Sequence, residues 1–348
     1  MKFRVMITNR FGLILLAMIF FAVSCKVATE QEKITPVSQE YAFNKVEEFC
    51  KQFKIDCKSK KLDGVFPANY FYMFGLHVRW DEDYFRGAHV LCEQTKDSPN
   101  DKYVHFLVRD KSKEIELYAN VALYEMYMSK RAWYKKTRQS RMLEFMPEDK
   151  AKQIFNSLAK KLQIPSDMVF EKINKNDPIY GSVWSAVWLR KRNDYRYEGD
   201  AISISIMGAT GEFVAYTKTY RGVPCSTEMK ISKEQAIEIG WKKLQKYFTW
   251  KMKKIGEKAR ALYEVNAEPL IIQTGAFGRS SKPVKIKGSK LAWVIRYTFT
   301  GGFEKWKELG LPDEYFEVRI DATTGRILYT SPMRPWFIRW FGELSVKK

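Results

Sequence analysis

The stretch SISIMGATGEFVAY, Ser203 to Tyr216, reads as a strand, a glycine-bearing turn and a second strand, and EVRIDATTGRILYT, Glu317 to Thr330, repeats the pattern. Laid over each other without a gap, Ile206 falls on Ile320, Gly211 on Gly325, Phe213 on Ile327 and Val214 on Leu328. Alternating apolar residues before the turn and a β-rich run after it are what two antiparallel neighbours require. Glycine at the turn takes a positive φ without steric cost.

The flanks match as well. MPEDKAKQIFNSLAKKLQI, Met146 to Ile164, carries Ala151, Ile154, Phe155, Leu158 and Leu162 on one helical stripe with lysines opposite. ISKEQAIEIGWKKLQKYF, Ile231 to Phe248, offers Ser232 as N-cap and Ala236, Ile239, Leu244 and Phe248 on its apolar side. Each helix is followed by a tryptophan strand. In VWSAVWLRKR the period of two puts Trp184, Ala186 and Trp188 on one face, and in LAWVIRYTF it does the same for Trp293, Ile295 and Tyr297.

A third copy precedes these. YAFNKVEEFCKQF supplies its helix, FGLHVRW a strand ending at Trp80, DYFRGAHV parallels DYRYEGDAI, and HFLVRDKSKEIELY repeats the hairpin with Lys113 in the glycine position. Lys113 implies a turn that tolerates a side chain or a different register, and EQTKDSPNDK reads as an inserted loop.

SKEQAIEIGWKKL leading to FEVRIDATTGRILY resembles the PepSY domain, and EDKAKQIFNSLAKKL, WSAVWLRKRNDYRYEGDAISISI and GATGEFVAY resemble the repeats of the YcdB/YcdC family of secreted bacterial proteins. The likeness spans Met146 to Thr330, and reaches the N-terminal unit by analogy; Met207 stands where the family hairpin has the aspartate seen here as Asp321. The resemblance implies an α+β fold of tandem repeats, each a helix packed on a small antiparallel sheet. It also implies a binding role, as in protease propeptides, and brings no catalytic residue. The expected organisation is a leader over residues 1–24, a polar tether over 25–40, a divergent repeat over 41–143, two PepSY-like repeats over 144–230 and 231–332, and a tail over 333–348.

The leader reading rests on MKFRVMITNR, basic and free of acids, followed by the apolar FGLILLAMIFFAVS and then Cys25. The apolar run is short of the about 20 residues that a span needs. A cysteine after a small residue at the end of such a run resembles the lipobox of bacterial lipoproteins, with Ala22 where leucine is usual. Lipidation at Cys25 is expected; ordinary signal cleavage leaving a free thiol is the alternative.

Export places Cys50, Cys57, Cys92 and Cys225 in an oxidising compartment, where four cysteines have three possible pairings. Cys50 with Cys57, across the end of the first helix, and Cys92 with Cys225 are the expected pairs; four small packing residues is the alternative.

The formal charge is +20, and 17 of those charges remain once Lys2, Arg4 and Arg10 leave with the leader. Such an excess attracts polyanions or an anionic membrane face. SKRAWYKKTRQSR, Ser129 to Arg141, and WKKLQKYFTWKMKKIGEKAR, Trp241 to Arg260, interleave bases with aromatics, as nucleic-acid proteins also do. Export disfavours that partner, and the bland reading is solvated helix faces over a core. RPWFIRWFGEL, Arg334 to Leu344, is either an interfacial segment or a tail docked on the last sheet.

Chemistry is sparse. HExxH, phosphate-loop, GxSxG and CxxC patterns are missing from the sequence. The three histidines are His77, His89 and His105; His77 and His89 facing each other with Asp81 or Asp83 would be a metal site, but strand histidines are more often packing residues, and neither a metal nor a cofactor is expected. The expectation is a non-enzymatic envelope lipoprotein that binds a protein partner, with restraint of a peptidase as one form of that role. The alternative is a basic structural protein that binds polyanions or the membrane surface.

Overall fold

The computed structural model describes residues 35–57, 59–62, 87–93, 103–121, 123, 145–176, 183–274, 288–310 and 315–333. The expected leader, Cys25, the FGLHVRW strand, the basic stretch 129–141 and residues 334–348 lie outside them.

The first described group runs α1 (Gln39–Phe53), β1 (Ser59–Leu62), β2 (Gly87–Glu93), β3 (Tyr103–Arg109) and β4 (Ile115–Asn120). The second is α2 (Glu148–Lys161), β5 (Met168–Asn176), β6 (Val183–Arg192), β7 (Tyr195–Met207) and β8 (Phe213–Thr219). The third is α3 (Lys233–Gln245), α4 (Trp250–Ile255), a 3-10 turn over Gly256–Leu262, β9 (Tyr263–Thr274), β10 (Gly288–Phe299), α5 (Gly302–Leu309), β11 (Tyr315–Asp321) and β12 (Ile327–Met333). The fold is α+β and mostly sheet. β5, β9 and α5 were not anticipated from the sequence.

The helices begin where their chemistry dictates. Ser38 caps α1 by accepting from the Tyr41 amide, and Ser232 with Gln235 forms a reciprocal capping box at α3. Ala42, Ala151 and Ala236 sit at the same place in the opening turn of α1, α2 and α3, and each is fully buried, because only a small side chain lets the helix lie close on its sheet. Trp184, Ala186 and Trp188 face one core and Trp293, Ile295 and Tyr297 another, as the period of two requires.

The hairpins β3–β4, β7–β8 and β11–β12 close identically. The amide of the turn residue donates to the last residue of the first strand: Lys113 to Arg109 at 3.0 Å, Gly211 to Met207 at 2.9 Å and Gly325 to Asp321 at 2.9 Å. Those strand residues donate in turn to Glu114, Glu212 and Arg326. A β-bulge follows at one equivalent step in each, between Leu107 and Val108, Ser205 and Ile206, and Arg319 and Ile320. Gly211 (φ 78°) and Gly325 (φ 72°) take the positive φ expected of them, and Lys113 adopts the same left-handed backbone at φ 59°. The register is therefore kept, and it is the lysine that is strained.

Helix and hairpin are tied by one further motif. Trp184 donates from its indole to the Met146 carbonyl, whose own amide donates to Gly208; Trp293 donates to Ile231, whose amide donates to Ala322.

Eight strands form one antiparallel run in the order β1-β2-β3-β4-β8-β7-β6-β5, and β9-β10-β11-β12 form another, joined by one parallel bridge, Tyr197 to Ile271. At the β4–β8 junction Tyr118 pairs with Tyr216, flanked by Leu117–Thr217 and Ala119–Ala215, so the two hairpins meet about a local two-fold. Phe49, Phe53, Phe106, Tyr118 and Phe213 pack across this junction, making one core of the first two groups. The third group packs around a second core, to which Tyr197 of β7 also contributes.

Candidate functional site: sheet edges and the groups around them

Cysteine pairing differs from the expectation. Cys57 is bonded to Cys92, with Cα atoms 5.2 Å apart, and Cys50 and Cys225 are free thiols. The reason is local. Cys50 points into the core beside Val46 and Phe49, while Lys54, at φ 56°, ends α1 in a left-handed turn that carries Cys57 away to β2. The three sulfurs of Cys50, Cys57 and Cys92 nevertheless lie within 4.8 Å of one another, and burial pushes the Cys50 thiol up to about 12. Burial also raises the pKa of Cys225.

The histidine expectation is half outside view: His77, Asp81 and Asp83 are not among the described residues. His89 instead meets His105 on the neighbouring strand, Nδ1 to Nε2 at 3.4 Å. Burial first, then the adjacent His89, depresses the His105 pKa to about 3, which keeps that ring neutral. Among the described residues, the cysteine trio is the one group of three potential ligands lying this close, and two of its sulfurs are taken up by the disulfide.

Two ionic clusters were not visible in the sequence. Arg190 bonds Asp167 at 2.8 Å and Asp200 at 3.1 Å, and lies between the rings of Tyr197 and Tyr220, 4.3 and 3.9 Å from their centroids. Asp200 also accepts the Arg221 and Gly222 amides at 3.0 and 2.8 Å, so the cluster latches the connection after β8 to β6 and β7. Burial raises the pKa of Asp200; at Asp167 burial is again the largest single effect, but the bonds from Arg190 and Tyr220 together with the Arg190 charge outweigh it and hold the pKa low. The second cluster is a chain of alternating charge: Arg196, Glu268, Arg296, Glu317, Arg319 and Glu198, in that order of contact. It crosses β7, β9, β10 and β11 and reinforces the single backbone bridge between the two strand runs. Such pairs fix geometry more than they stabilise.

In both clusters the charges are spent on one another. What the fold does offer is strand edges, which carry unpaired amides and carbonyls. Among the described strands β1, β5 and β12 end their runs, and β9 ends its run apart from the single bridge to β7, beside which the Arg196–Glu268 pair ties it down. β1 is four residues long, with Lys60 and Lys61 paired to Glu47 and Glu93. β12 contains Pro332, which cannot donate to a ladder. β5 spans nine residues, and its Val169 and Phe170 are 42% and 47% exposed. Phe170 also lies edge-on to Trp188, ring centroids 5.6 Å apart.

The basic stretch around α4 places Trp250 outermost, 70% exposed, with Tyr247 and the exposed Lys246, Lys251, Lys253 and Lys254 around it. The adjoining α5 adds the exposed Phe303; Thr249 and Lys251 hold the end of that helix by bonding the Leu309 and Glu308 carbonyls.

No family model matches the sequence, and no curated protein matches it. Among solved structures, the chain is similar to the Bacillus megaterium YpeB C-terminal domain, at 11% identity and a TM-score of 0.36, over 86% of this chain and 99% of that one.

Proposed function

We propose that this chain is a non-enzymatic, lipid-anchored protein of the bacterial envelope, built of tandem PepSY-like units, that binds another protein through the open edge of its sheet. Restraint of a peptidase is the form of that role implied by the PepSY resemblance. The observation that carries the reading is the β5 edge, long and unpaired among the described strands, with two large apolar side chains exposed on it. A strand added there gains main-chain hydrogen bonds along the ladder and apolar contact at Val169 and Phe170, the mode by which edge strands take peptides. The shared closure of the three hairpins supports the repeat organisation.

Crosslinking in the native envelope, followed by identification of what is attached, tests this. One protein recovered in salt-resistant fashion is expected, and replacing Cys25 by Ser should move the chain to the soluble fraction.

A second reading, polyanion or membrane-surface binding, is favoured by Trp250 and its lysines. Each basic residue near an anionic surface adds about 1 kcal/mol, and that attraction is screened by salt. Retention on anionic vesicles that collapses with modest salt, with no protein crosslinked, would replace the first reading by this one.

A further inference from the structure

We propose that Cys50, Cys57 and Cys92 form a thiol–disulfide exchange site, in which the bond passes from Cys57–Cys92 to Cys50–Cys92 without any external oxidant.

The geometry carries it. A free thiol lies beside a disulfide, with all three sulfurs within 4.8 Å of one another. Exchange needs a thiolate that reaches one sulfur of the disulfide while the other leaves. Cys50 and Cys92 are buried and Cys57 is partly exposed, so the thiolate that leaves is best accommodated at Cys57. Cys50 loses its proton to solvent and attacks the Cys92 sulfur; the Cys57–Cys92 bond breaks, its electron pair departs on Cys57, and Cys57 takes up a proton. One disulfide and one thiol are present before and after, so nothing is oxidised or reduced overall.

The structural consequence follows from where each cysteine sits. Cys57–Cys92 ties the segment leading into β1 to β2. Cys50–Cys92 would instead clamp α1 to β2 and release β1 from its covalent tie, leaving it held by four residue pairs. β1 covers one edge of β2, whose Val90 and Cys92 are fully buried. The exchange therefore controls how firmly that edge is capped. Burial of Cys50 keeps the site at rest near neutrality, with only the nearby Lys60 favouring the thiolate.

The test maps disulfides in the full, oxidised chain held at pH 7 and at pH 9 without added thiol, then quenched in acid and alkylated. Below the Cys50 pKa the exchange rate follows the thiolate fraction, so the Cys50–Cys92 peptide, with alkylated Cys57, should accumulate about 100-fold faster at pH 9. Finding Cys57–Cys92 alone at both pH values overturns the proposal. So do bonds to Cys225 forming as fast as those to Cys50, which would mean scrambling through unfolding. In Cys57→Ser, oxidised glutathione should close Cys50–Cys92; two thiols left alkylatable or glutathionylated in the folded variant would also overturn it. If that variant does not fold, the unsubstituted chain decides the matter alone.

Discussion

The residue at the turn of each hairpin sets a clear ranking of substitutions. At Gly325 an added Cβ would sit 3.4 Å from Ile231 and 3.6 Å from Ile239, which is ordinary contact, so alanine meets only the left-handed backbone. Gly325→Ala should cost about 1 kcal/mol once the lower entropy of the unfolded chain is set against strain of about 1–2 kcal/mol. At Gly211 the same atom would lie 2.5 Å from the Ile154 Cδ1 and 3.0 Å from the Met146 methyl. Gly211→Ala should therefore cost more, about 2 kcal/mol, with both side chains forced aside. Lys113→Gly removes strain already present and should be neutral or stabilising by up to about 1 kcal/mol. Urea titrations of the three variants check the order, and a stabilised Gly211→Ala would refute it. His105 supplies the pH dependence. Its pKa is about 3 in the fold against 6.5 unfolded, so the unfolded chain binds the extra proton. Stability from this group is full above pH 6.5 and falls as pH drops toward 3. At pH 5 the loss should be about 2 kcal/mol, measured as the difference between the unsubstituted chain and His105→Asn across pH 7 to 5, in which the carboxylates common to both proteins cancel. An equal slope in both proteins would contradict it.

Single elements differ in how far the sequence disclosed them. The tryptophan strands, the hairpins and the capped start of α3 were legible because their signals are local: a period of two, glycine at a positive φ, a serine three residues before glutamine. β5 was not, since MVFEKINKN puts charges where alternation would mark a buried face, and edge strands tolerate that pattern. The cysteine pairing was misjudged because nearness in sequence says nothing about the left-handed turn at Lys54 that separates Cys57 from Cys50. The bond that does form spans 35 residues, and in the chain-entropy account such a loop contributes about 4 kcal/mol. Cys57→Ser should lower stability by up to that amount in a denaturant titration, and reduction of the unsubstituted protein should do the same. A loss below about 1 kcal/mol would mean that the constraint is absent or matched by compact structure in the unfolded chain.

At the scale of the whole molecule, two facts lay beyond sequence reasoning. The β4–β8 junction, with Tyr118 opposite Tyr216, merges two groups into one sheet, and which strands end the sheet is a property of that topology alone. The Arg190 latch and the six-residue ionic chain join residues distant in sequence, so neither spacing nor composition marks them. The candidate binding site emerged from the topology rather than from a motif. Among the described strands β5 has no partner on its outer side, while β1 is short and charged, β12 is interrupted by Pro332, and β9 is tied to β7 by a bridge and by the ionic chain. The central claim, that the chain acts by binding a protein along β5, is tested most directly by comparing capture of the crosslinked envelope protein by the unsubstituted chain and by Val169→Lys/Phe170→Glu. Both positions are partly exposed, but Phe170 also packs on Trp188, so thermal unfolding should fall modestly and capture is compared at a temperature where both proteins are folded. Capture should fall at least about tenfold, as expected when apolar contact worth more than about 1.4 kcal/mol is lost, while Trp250→Ala leaves it intact. Full capture by the folded β5 variant would contradict the account.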